Sequence, residues 1–341
     1  MPENQESVRP RSSYSAPSRR KPLPWPKDQP FRILSLDGGG IKGIFPAAIL
    51  AKLEEFLPEG EHIHQYFDLI AGTSTGGILA MGVGAGITAE TMLRLYLERG
   101  SELFPPGNAI TRGLRGLKQF FAYKYDADNL ARLLKETYGD RRIQASRGCL
   151  CIPTSEGMNG EIFVVKTPHH PDYHLDGKKL LVEVGLATGA APTYLKAADH
   201  WGYRLADGGL WANNPILVAV IEALSAFDVT REQIQVLSIG CGNDKVRVTN
   251  KMASGGLFQW RKAIKCAINL QTQSALAQTR LLLGPERVIR LEPKADAAID
   301  LDDWVRARAE LPAEAEAVCA AQLAAIKARF LQGKASTPKF F

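Results

Sequence analysis

The hydrophobic pattern of the chain alternates short apolar runs with longer segments in which apolar residues recur at helical spacing. The apolar runs predict buried strands at residues 31–36, 67–71, 149–153, 162–165, 203–206 and 235–240. The helical spacing predicts helices at residues 44–57, 90–104, 126–139, 216–227, 256–284 and 312–333. Because strands and helices alternate, we expect a mostly parallel sheet that is covered on both faces.

Two segments depart from this pattern. Residues 1–30 are rich in proline, serine and arginine and lack apolar periodicity, which predicts a disordered basic tail ahead of one folded domain at residues 31–341. Residues 69–89 contain no charged side chain, and an uncharged segment of this length suggests a membrane-spanning helix. Six glycines interrupt this second segment, so we interpret it as a buried strand followed by a buried helix.

Composition and charge are those of an ordinary globular protein. Of the 341 residues, 45% are hydrophobic and 23% are charged, and half of the formal net charge of +6 lies in residues 1–30. The rest of the chain is only mildly basic, which argues against a dedicated nucleic-acid-binding protein. The five cysteines are odd in number and widely spaced, and the N-terminus has no apolar signal segment. We therefore expect a reducing, cytoplasmic location without a disulfide framework.

A candidate nucleophile lies between the predicted strand at residues 67–71 and a helix of small residues. Residues 72–76 read Gly-Thr-Ser-Thr-Gly, and a Gly-x-Ser-x-Gly motif in this position is typical of a nucleophile elbow. The strand-to-helix turn is so sharp that only glycine fits two residues before and after the serine. Ser74 would then lie at the tip, beside a helix N-terminus that favours developing negative charge.

A glycine-rich loop follows the first predicted strand, where residues 37–43 read Asp-Gly-Gly-Gly-Ile-Lys-Gly. Gly38, Gly40 and Gly43 fit the spacing of a dinucleotide-binding fingerprint. That interpretation also requires an acidic residue at the end of the next strand, where the chain has the serine motif instead. A P-loop fails because no Lys-Ser/Thr pair follows the last glycine. An oxyanion hole, in which consecutive backbone N–H groups point at one anion, is favoured.

A third candidate is Asp207, which ends a predicted strand and is followed by two glycines and by Asn213-Asn214-Pro215. The alternative is an ordinary turn aspartate, common before glycine. None of the six histidines lies in a stretch that resembles a catalytic triad, although His200 precedes Asp207 by only seven residues.

Together and in this order, these three stretches resemble the patatin-like phospholipases. The resemblance covers residues 31–242 and implies a three-layer α/β/α sandwich that hydrolyses acyl esters of membrane phospholipids. Ser74 matches the nucleophile and Asp207 the base of a Ser-Asp dyad, while Gly38, Gly39 and Gly40 match the oxyanion-hole glycines. One departure is Gly189, where many relatives have serine, and we do not expect it to affect the chemistry.

A narrower resemblance concerns the patatin-like effectors of bacterial anti-phage systems that signal through cyclic oligonucleotides (CBASS). It is carried by residues 31–48, 166–170 and 279–284 and implies activation by a cyclic dinucleotide at the inner membrane surface. The candidate phosphate-binding groups are Arg112, Arg115 and Lys118, or Lys166, His169 and His170. A switch is expected on physical grounds, since a constantly active phospholipase in the cytoplasm would attack its own membrane.

The sequence also bears on metals, cofactors, partners and alternative functions. The chain has no His-Glu-x-x-His motif and no cysteine–histidine cluster, so we expect neither a catalytic metal nor a required cofactor. A nucleic-acid polymer is not expected as a partner, and a homo-oligomer is compatible with the sequence. The alternative functions are a constitutive lipid acyl hydrolase and a nucleotide-binding sensor with secondary hydrolase activity.

Overall fold

The computed structural model describes residues 20–106, 123–242, 263–294 and 299–341. Its centre is an eight-stranded mixed sheet in which the strands follow the spatial order β5–β6–β3–β2–β1–β7–β8, with β4 paired to β3. The strands are β1 (Phe31–Leu36), β2 (Leu69–Gly72), β3 (Cys149–Glu156), β4 (Glu161–Lys166), β5 (Ala198–His200), β6 (Tyr203–Asp207), β7 (Ile234–Ile239) and β8 (Val288–Leu291).

Strands β3, β2, β1, β7 and β8 run parallel, whereas β4, β5 and β6 form antiparallel pairs. Strand β2 pairs with the first half of β3, at residues 149–151, and β6 pairs with its second half, at residues 154–156. Because β2 and β6 pair with successive parts of β3, their ends lie close together. Ser74 follows the end of β2 and Asp207 ends β6, so this arrangement of strands brings the two candidate residues together.

Helices cover both faces of the sheet. The α-helices are α1 (Ile44–Glu54), α2 (Thr75–Gly84), α3 (Ala89–Leu103), α4 (Ala127–Tyr138), α5 (Leu181–Thr188), α6 (Gly209–Ala212), α7 (Ile216–Ala226), α8 (Ala263–Leu283) and α9 (Trp304–Phe330). Short 3₁₀ helices lie at Gly40–Gly43, Ile63–Tyr66, Ile143–Ala145 and Pro285–Arg287. Among the helices described, none is long and apolar enough to cross a membrane.

The core is divided by the sheet because successive side chains of a strand point to opposite faces. On β1, Leu34 and Leu36 belong to one buried cluster, which α1, α2, α4, α5 and α9 complete. Phe31 and Ile33 belong to the other cluster, which α7 and α8 complete. The predicted mostly parallel sheet with helices on both faces is thereby confirmed.

The structure differs from the sequence-based prediction at the start of the described chain. Residues 20–30, which the sequence places in a disordered tail, pack against the domain. Leu23 exchanges backbone hydrogen bonds with Ala226 and Asp228, both at 2.8 Å. The Trp25 ring contacts the Phe31 and Phe227 rings, with centroid distances of 4.8 and 5.8 Å. This aromatic contact holds a proline-rich segment whose composition alone does not predict order, while residues 1–19 lie outside the described residues.

Candidate active site

Ser74 lies at a sharp turn between β2 and α2. Its backbone angles are φ 55° and ψ −123°, in a region that residues other than glycine rarely adopt. The flanking glycines are required sterically, since a Cβ on Gly72 would lie 2.1 Å from the Gly76 carbonyl oxygen. A Cβ on Gly76 would lie 2.2 Å from the Leu36 carbonyl oxygen. This is the geometry that the motif predicts for a nucleophile elbow.

Asp207 is buried beside Ser74, whose hydroxyl is close enough to lower the pKa of the Asp207 carboxyl. The backbone N–H of Gly209 donates to Asp207 Oδ1 at 2.6 Å. Burial raises the pKa of Asp207 from 3.8 to about 6, against the opposing effects of the Ser74 hydroxyl and the Gly209 N–H. A carboxylate with this pKa is ionised at neutral pH and is a stronger base than an ordinary aspartate.

The histidines do not complete a triad. All six belong to the described residues, and none of them hydrogen-bonds Ser74 or Asp207 there. His200 pairs with Tyr203 at the far end of β6, four residues from Asp207, which corresponds to roughly 13 Å along a strand. His169 is buried against Glu222, with 3.0 Å between its Nε2 and Oε1 of the glutamate. Among the described residues, Asp207 is therefore the titratable group that lies beside Ser74.

The three glycines of the loop after β1 have different environments. The Gly38 N–H donates to the Asn213 carbonyl oxygen at 2.9 Å and is thus already occupied. In the described part of the chain, no acceptor takes the N–H groups of Gly39 and Gly40. The Thr75 N–H is likewise unpaired within those residues and starts α2, directly after Ser74. Gly39, Gly40 and Thr75 therefore carry unpaired backbone donors within the described residues, and Thr75 was not identified from the sequence.

A buried ion pair anchors this loop. Arg290 on β8 donates two hydrogen bonds to Asp37, from Nη1 to Oδ1 at 2.9 Å and from Nη2 to Oδ2 at 2.6 Å. Arg290 also donates to Ser238 at 2.7 Å, and both charged side chains of the pair are almost fully buried. Since Asp37 directly precedes the glycines, the pair fixes the start of the glycine loop. Strand β8 was not predicted, and no sequence pattern pointed to Arg290.

An apolar pocket opens beside Ser74 and runs between α3 and α4. Its wall comprises Gly40, Ile41, Ser74, Thr75, Ile78, Leu95, Tyr96, Arg99, Gly100, Leu103, Phe104, Tyr125, Leu130, Leu133, Leu134, Gly189 and Leu195. Most of these side chains are apolar, so the pocket suits a hydrocarbon chain whose reacting end lies at Ser74. Gly189, the one departure from the family pattern, belongs to this wall.

The candidate phosphate-binding groups fall into two sets. Lys166 and His169 are both bonded to the buried Glu222 carboxylate, with Lys166 Nζ 2.5 Å from Oε2. His170 bonds the Lys21 carbonyl oxygen at 3.1 Å. This set is therefore engaged within the protein, near the edge of the sheet opposite Ser74. The other set, Arg112, Arg115 and Lys118, lies outside the described residues.

The described side chains also bear on the expectations for disulfides and metal ligands. The five cysteines are all buried and unpaired, as the expected absence of disulfides requires. Within the described ranges, no group of three or more histidine, cysteine or acidic side chains is arranged to hold a metal ion.

Comparisons with known proteins find a family model and several relatives that match this chain. A family model described as patatin-like phospholipase matches residues 34–220, which include the glycine loop, Ser74 and Asp207. An Escherichia coli protein named cGAMP-activated phospholipase is 31% identical over 294 residues, covering 80% of each chain. A Pseudomonas aeruginosa protein of the same name is 33% identical and covers 74% of this chain and 76% of its own. Patatin-like protein 2 of Oryza sativa is 32% identical, with 67% of this chain and 65% of its own covered.

Proposed function

The chain belongs to the patatin-like phospholipase family, and from this premise we propose that it hydrolyses acyl esters of membrane phospholipids with a Ser74–Asp207 dyad. The observation that carries the proposal is the buried Asp207 carboxyl beside the hydroxyl of Ser74, which lines an apolar pocket. A serine hydroxyl needs an adjacent base to become a nucleophile, and Asp207 is the base that contacts it.

The reaction follows from this geometry in two halves. Ser74 Oγ attacks the ester carbonyl while its proton passes to Asp207, and the N–H groups of Gly39, Gly40 and Thr75 stabilise the oxyanion. Collapse of the tetrahedral intermediate breaks the ester bond, and Asp207 returns the proton to the leaving lysolipid oxygen. A water then attacks the acyl-enzyme and gives a proton to Asp207. Asp207 passes that proton to Ser74 Oγ as the acyl bond breaks, which releases the fatty acid and restores the free enzyme. No step in this scheme draws on a metal or an organic cofactor.

We propose that the acyl chain of the substrate binds in this pocket, between α3 and α4. Substituting the half-buried Leu95 with tryptophan (L95W) is expected to fill part of this space. Each methylene that loses its buried site costs about 0.8 kcal/mol, so excluding two or three lowers kcat/KM for a sixteen-carbon ester by at least about tenfold. Hydrolysis of a four-carbon ester should change much less, because that chain does not reach the obstruction.

The matched control for this prediction is Leu97, which is half-buried on the same helix but does not line the pocket. L97W should leave the ratio of long-chain to short-chain hydrolysis at the wild-type value. An unchanged ratio in L95W would contradict the assignment of the acyl chain to this pocket.

We further propose that a cyclic dinucleotide activates the enzyme and that this switch serves defence against phage. Relatives from Escherichia coli, Pseudomonas aeruginosa and Vibrio cholerae carry the name cGAMP-activated phospholipase. The physical reason for a switch is that a constantly active enzyme would degrade the membrane of its own cell. To move an inactive to active ratio from 99:1 to 1:99, a ligand must favour the active form by about 5.5 kcal/mol.

The test is hydrolysis of phospholipid vesicles by the purified full chain, with and without a panel of cyclic di- and trinucleotides. We expect at least about tenfold stimulation by cGAMP, a change that needs only about 1.4 kcal/mol of differential binding. Chelation of divalent ions with EDTA should leave hydrolysis of a soluble ester unchanged. Full activity without any nucleotide, and no stimulation, would support a constitutive hydrolase instead. Nucleotide binding without esterase activity would support a sensor.

A further inference from the structure

Thr188, the last residue of α5, is fully buried beside the serine turn. Its hydroxyl accepts the backbone N–H of Ser74 at 2.9 Å and donates its own proton to the Pro153 carbonyl oxygen at 2.7 Å. A hydroxyl has one proton, and a carbonyl can only accept, so the direction of both bonds is fixed. The Ser74 N–H is therefore held by a side chain that is itself anchored to β3.

The same short segment also holds Asp207. The carbonyl oxygen of Ala190 accepts the Asp207 N–H at 3.0 Å. The Pro153 carbonyl contacts the other side of the Asp207 turn, since a Cβ on Gly208 would lie 2.3 Å from its oxygen. Residues 188–190 and Pro153 thus connect the backbone of the nucleophile to the backbone of the base.

The backbone conformation of Ser74 explains why such a connection is needed. A non-glycine residue at φ 55° is strained and persists only where surrounding contacts fix it. The Ser74 side chain makes no capping hydrogen bond to the start of α2. Within the described residues, its N–H has the Thr188 hydroxyl as its acceptor. Rotation of the peptide between Thr73 and Ser74 would move Oγ away from Asp207.

We propose that Thr188 is a positioning residue, whose hydroxyl holds Ser74 in the orientation that presents its Oγ to Asp207. This inference rests on the proposed function and adds a residue that touches neither the substrate nor the reacting atoms. Its methyl group packs on α2, because a Cβ on Gly77 would lie 3.0 Å from the Thr188 Cγ2. The hydroxyl and the methyl can therefore be tested separately.

The test compares T188V, which removes the hydroxyl and keeps the shape, with T188S, which keeps the hydroxyl and removes the methyl. Valine leaves both the Ser74 N–H and the Pro153 carbonyl without a partner. With a soluble short-chain ester, we expect T188V to lower kcat by at least tenfold while KM changes less than twofold. T188S should retain most of the wild-type kcat, since its hydroxyl can make both bonds.

The pH profile provides a second measurement that a merely structural role would not change. The Ser74 hydroxyl lowers the pKa of Asp207, so its displacement should raise that pKa. The acidic limb of kcat/KM in T188V should consequently move to higher pH than in the wild type. T188S should keep the wild-type acidic limb.

The matched control is Thr167, which is also fully buried and whose hydroxyl accepts the backbone N–H of Leu150 at 2.9 Å. T167V removes an equivalent hydrogen bond far from the dyad, so it should lower stability without altering kcat per folded molecule or the acidic limb. If T188V does not fold, T188A removes the same hydroxyl without placing a methyl group against the Ser74 N–H.

Two results would overturn the inference. One is a hydroxyl-free variant, T188V or T188A, with the wild-type kcat and acidic limb. The other is a T188S variant as impaired as T188V, which would assign the effect to the methyl group. The proposed function fails independently, if S74A hydrolyses the same ester at the wild-type rate, so the two failures are distinguishable.

Discussion

Substituting Ser74 with alanine is expected to lower the release of fatty acid from phospholipid vesicles and from soluble esters by about 10³-fold or more. The neighbouring hydroxyls cannot replace it, because both are committed to other bonds. Thr73 Oγ1 donates to the Ala212 carbonyl oxygen at 2.6 Å, and Thr75 Oγ1 lies 2.6 Å from the Tyr96 hydroxyl. S74A would keep the apolar pocket and the proposed oxyanion donors, but it would have no nucleophile to attack the ester.

The variant should fold normally, since the Ser74 side chain does not cap α2. Circular dichroism and thermal unfolding check this point, and S225A, on α7 and away from the site, serves as a serine control with wild-type activity. A fluorophosphonate probe should label the wild type on the peptide that contains Ser74 and leave S74A unlabelled. Fatty-acid release by S74A within tenfold of the wild type would show that the nucleophile lies elsewhere.

The features that sequence predicts well are those set by neighbouring residues. Strand β1 and helix α1 follow from local periodicity, and the turn at Ser74 follows from the spacing of Gly72 and Gly76. The long uncharged segment is a buried strand and helix, as its glycines indicate. In each case the information needed lies within about ten residues, so no knowledge of the tertiary structure is required.

The features that sequence does not predict depend on residues far apart in the chain. Strand β8 has only four residues, and Arg290 acquires its role by reaching Asp37 across the sheet. Helix α9 begins at Trp304 rather than at Pro312, because the Asp303 side chain accepts the Arg306 N–H and starts the helix earlier. Helix α5 is apolar on most sides and therefore lacks the amphipathic spacing that would identify it.

The glycine loop shows the same limit at the level of single atoms. In the sequence, Gly38, Gly39 and Gly40 are equivalent candidates for the oxyanion hole. In the structure, the Gly38 N–H donates to the Asn213 carbonyl oxygen. Gly40 instead has a φ of 59° and lies against the Leu301 carbonyl. Their roles differ because of contacts with segments more than 170 residues away, which spacing within the motif does not encode.

Substituting Asp207 with asparagine is expected to lower kcat/KM by roughly 10²- to 10⁴-fold, the range that general-base catalysis contributes. An asparagine oxygen can still accept the hydrogen bond from the Gly209 N–H, but the amide does not take up a proton. H200A is the control and should leave activity within twofold of the wild type, because His200 on β5 pairs with Tyr203, at the end of β6 opposite Asp207. The reverse result, a damaging H200A and a mild D207N, would indicate a conventional triad.

The pH dependence of the wild type tests the same assignment without a substitution. Because burial raises the pKa of Asp207 to about 6, the carboxyl is protonated below that pH and cannot accept the Ser74 proton. We therefore expect kcat/KM to fall as the pH drops through about 6, well above the region in which an ordinary aspartate of pKa 3.8 titrates. A flat profile between pH 5 and 7, values that bracket this transition, would exclude Asp207 as the base.

The raised pKa of Asp207 also predicts how stability depends on pH. Ionising this carboxyl lowers the free energy of unfolding, whereas ionising a salt-bridged carboxyl raises it. A carboxyl whose pKa is raised in the folded state binds its proton more tightly there than in the unfolded chain, so ionising it opposes folding. For Asp207 the cost is about 3 kcal/mol above pH 6 and vanishes below pH 3.8. D207N, which carries no charge, should therefore be at least as stable as the wild type at pH 8, with the difference shrinking towards pH 4. Chemical denaturation at both pH values measures this difference. The buried-base assignment would be contradicted if the stability of D207N relative to the wild type were lower at pH 8 than at pH 4.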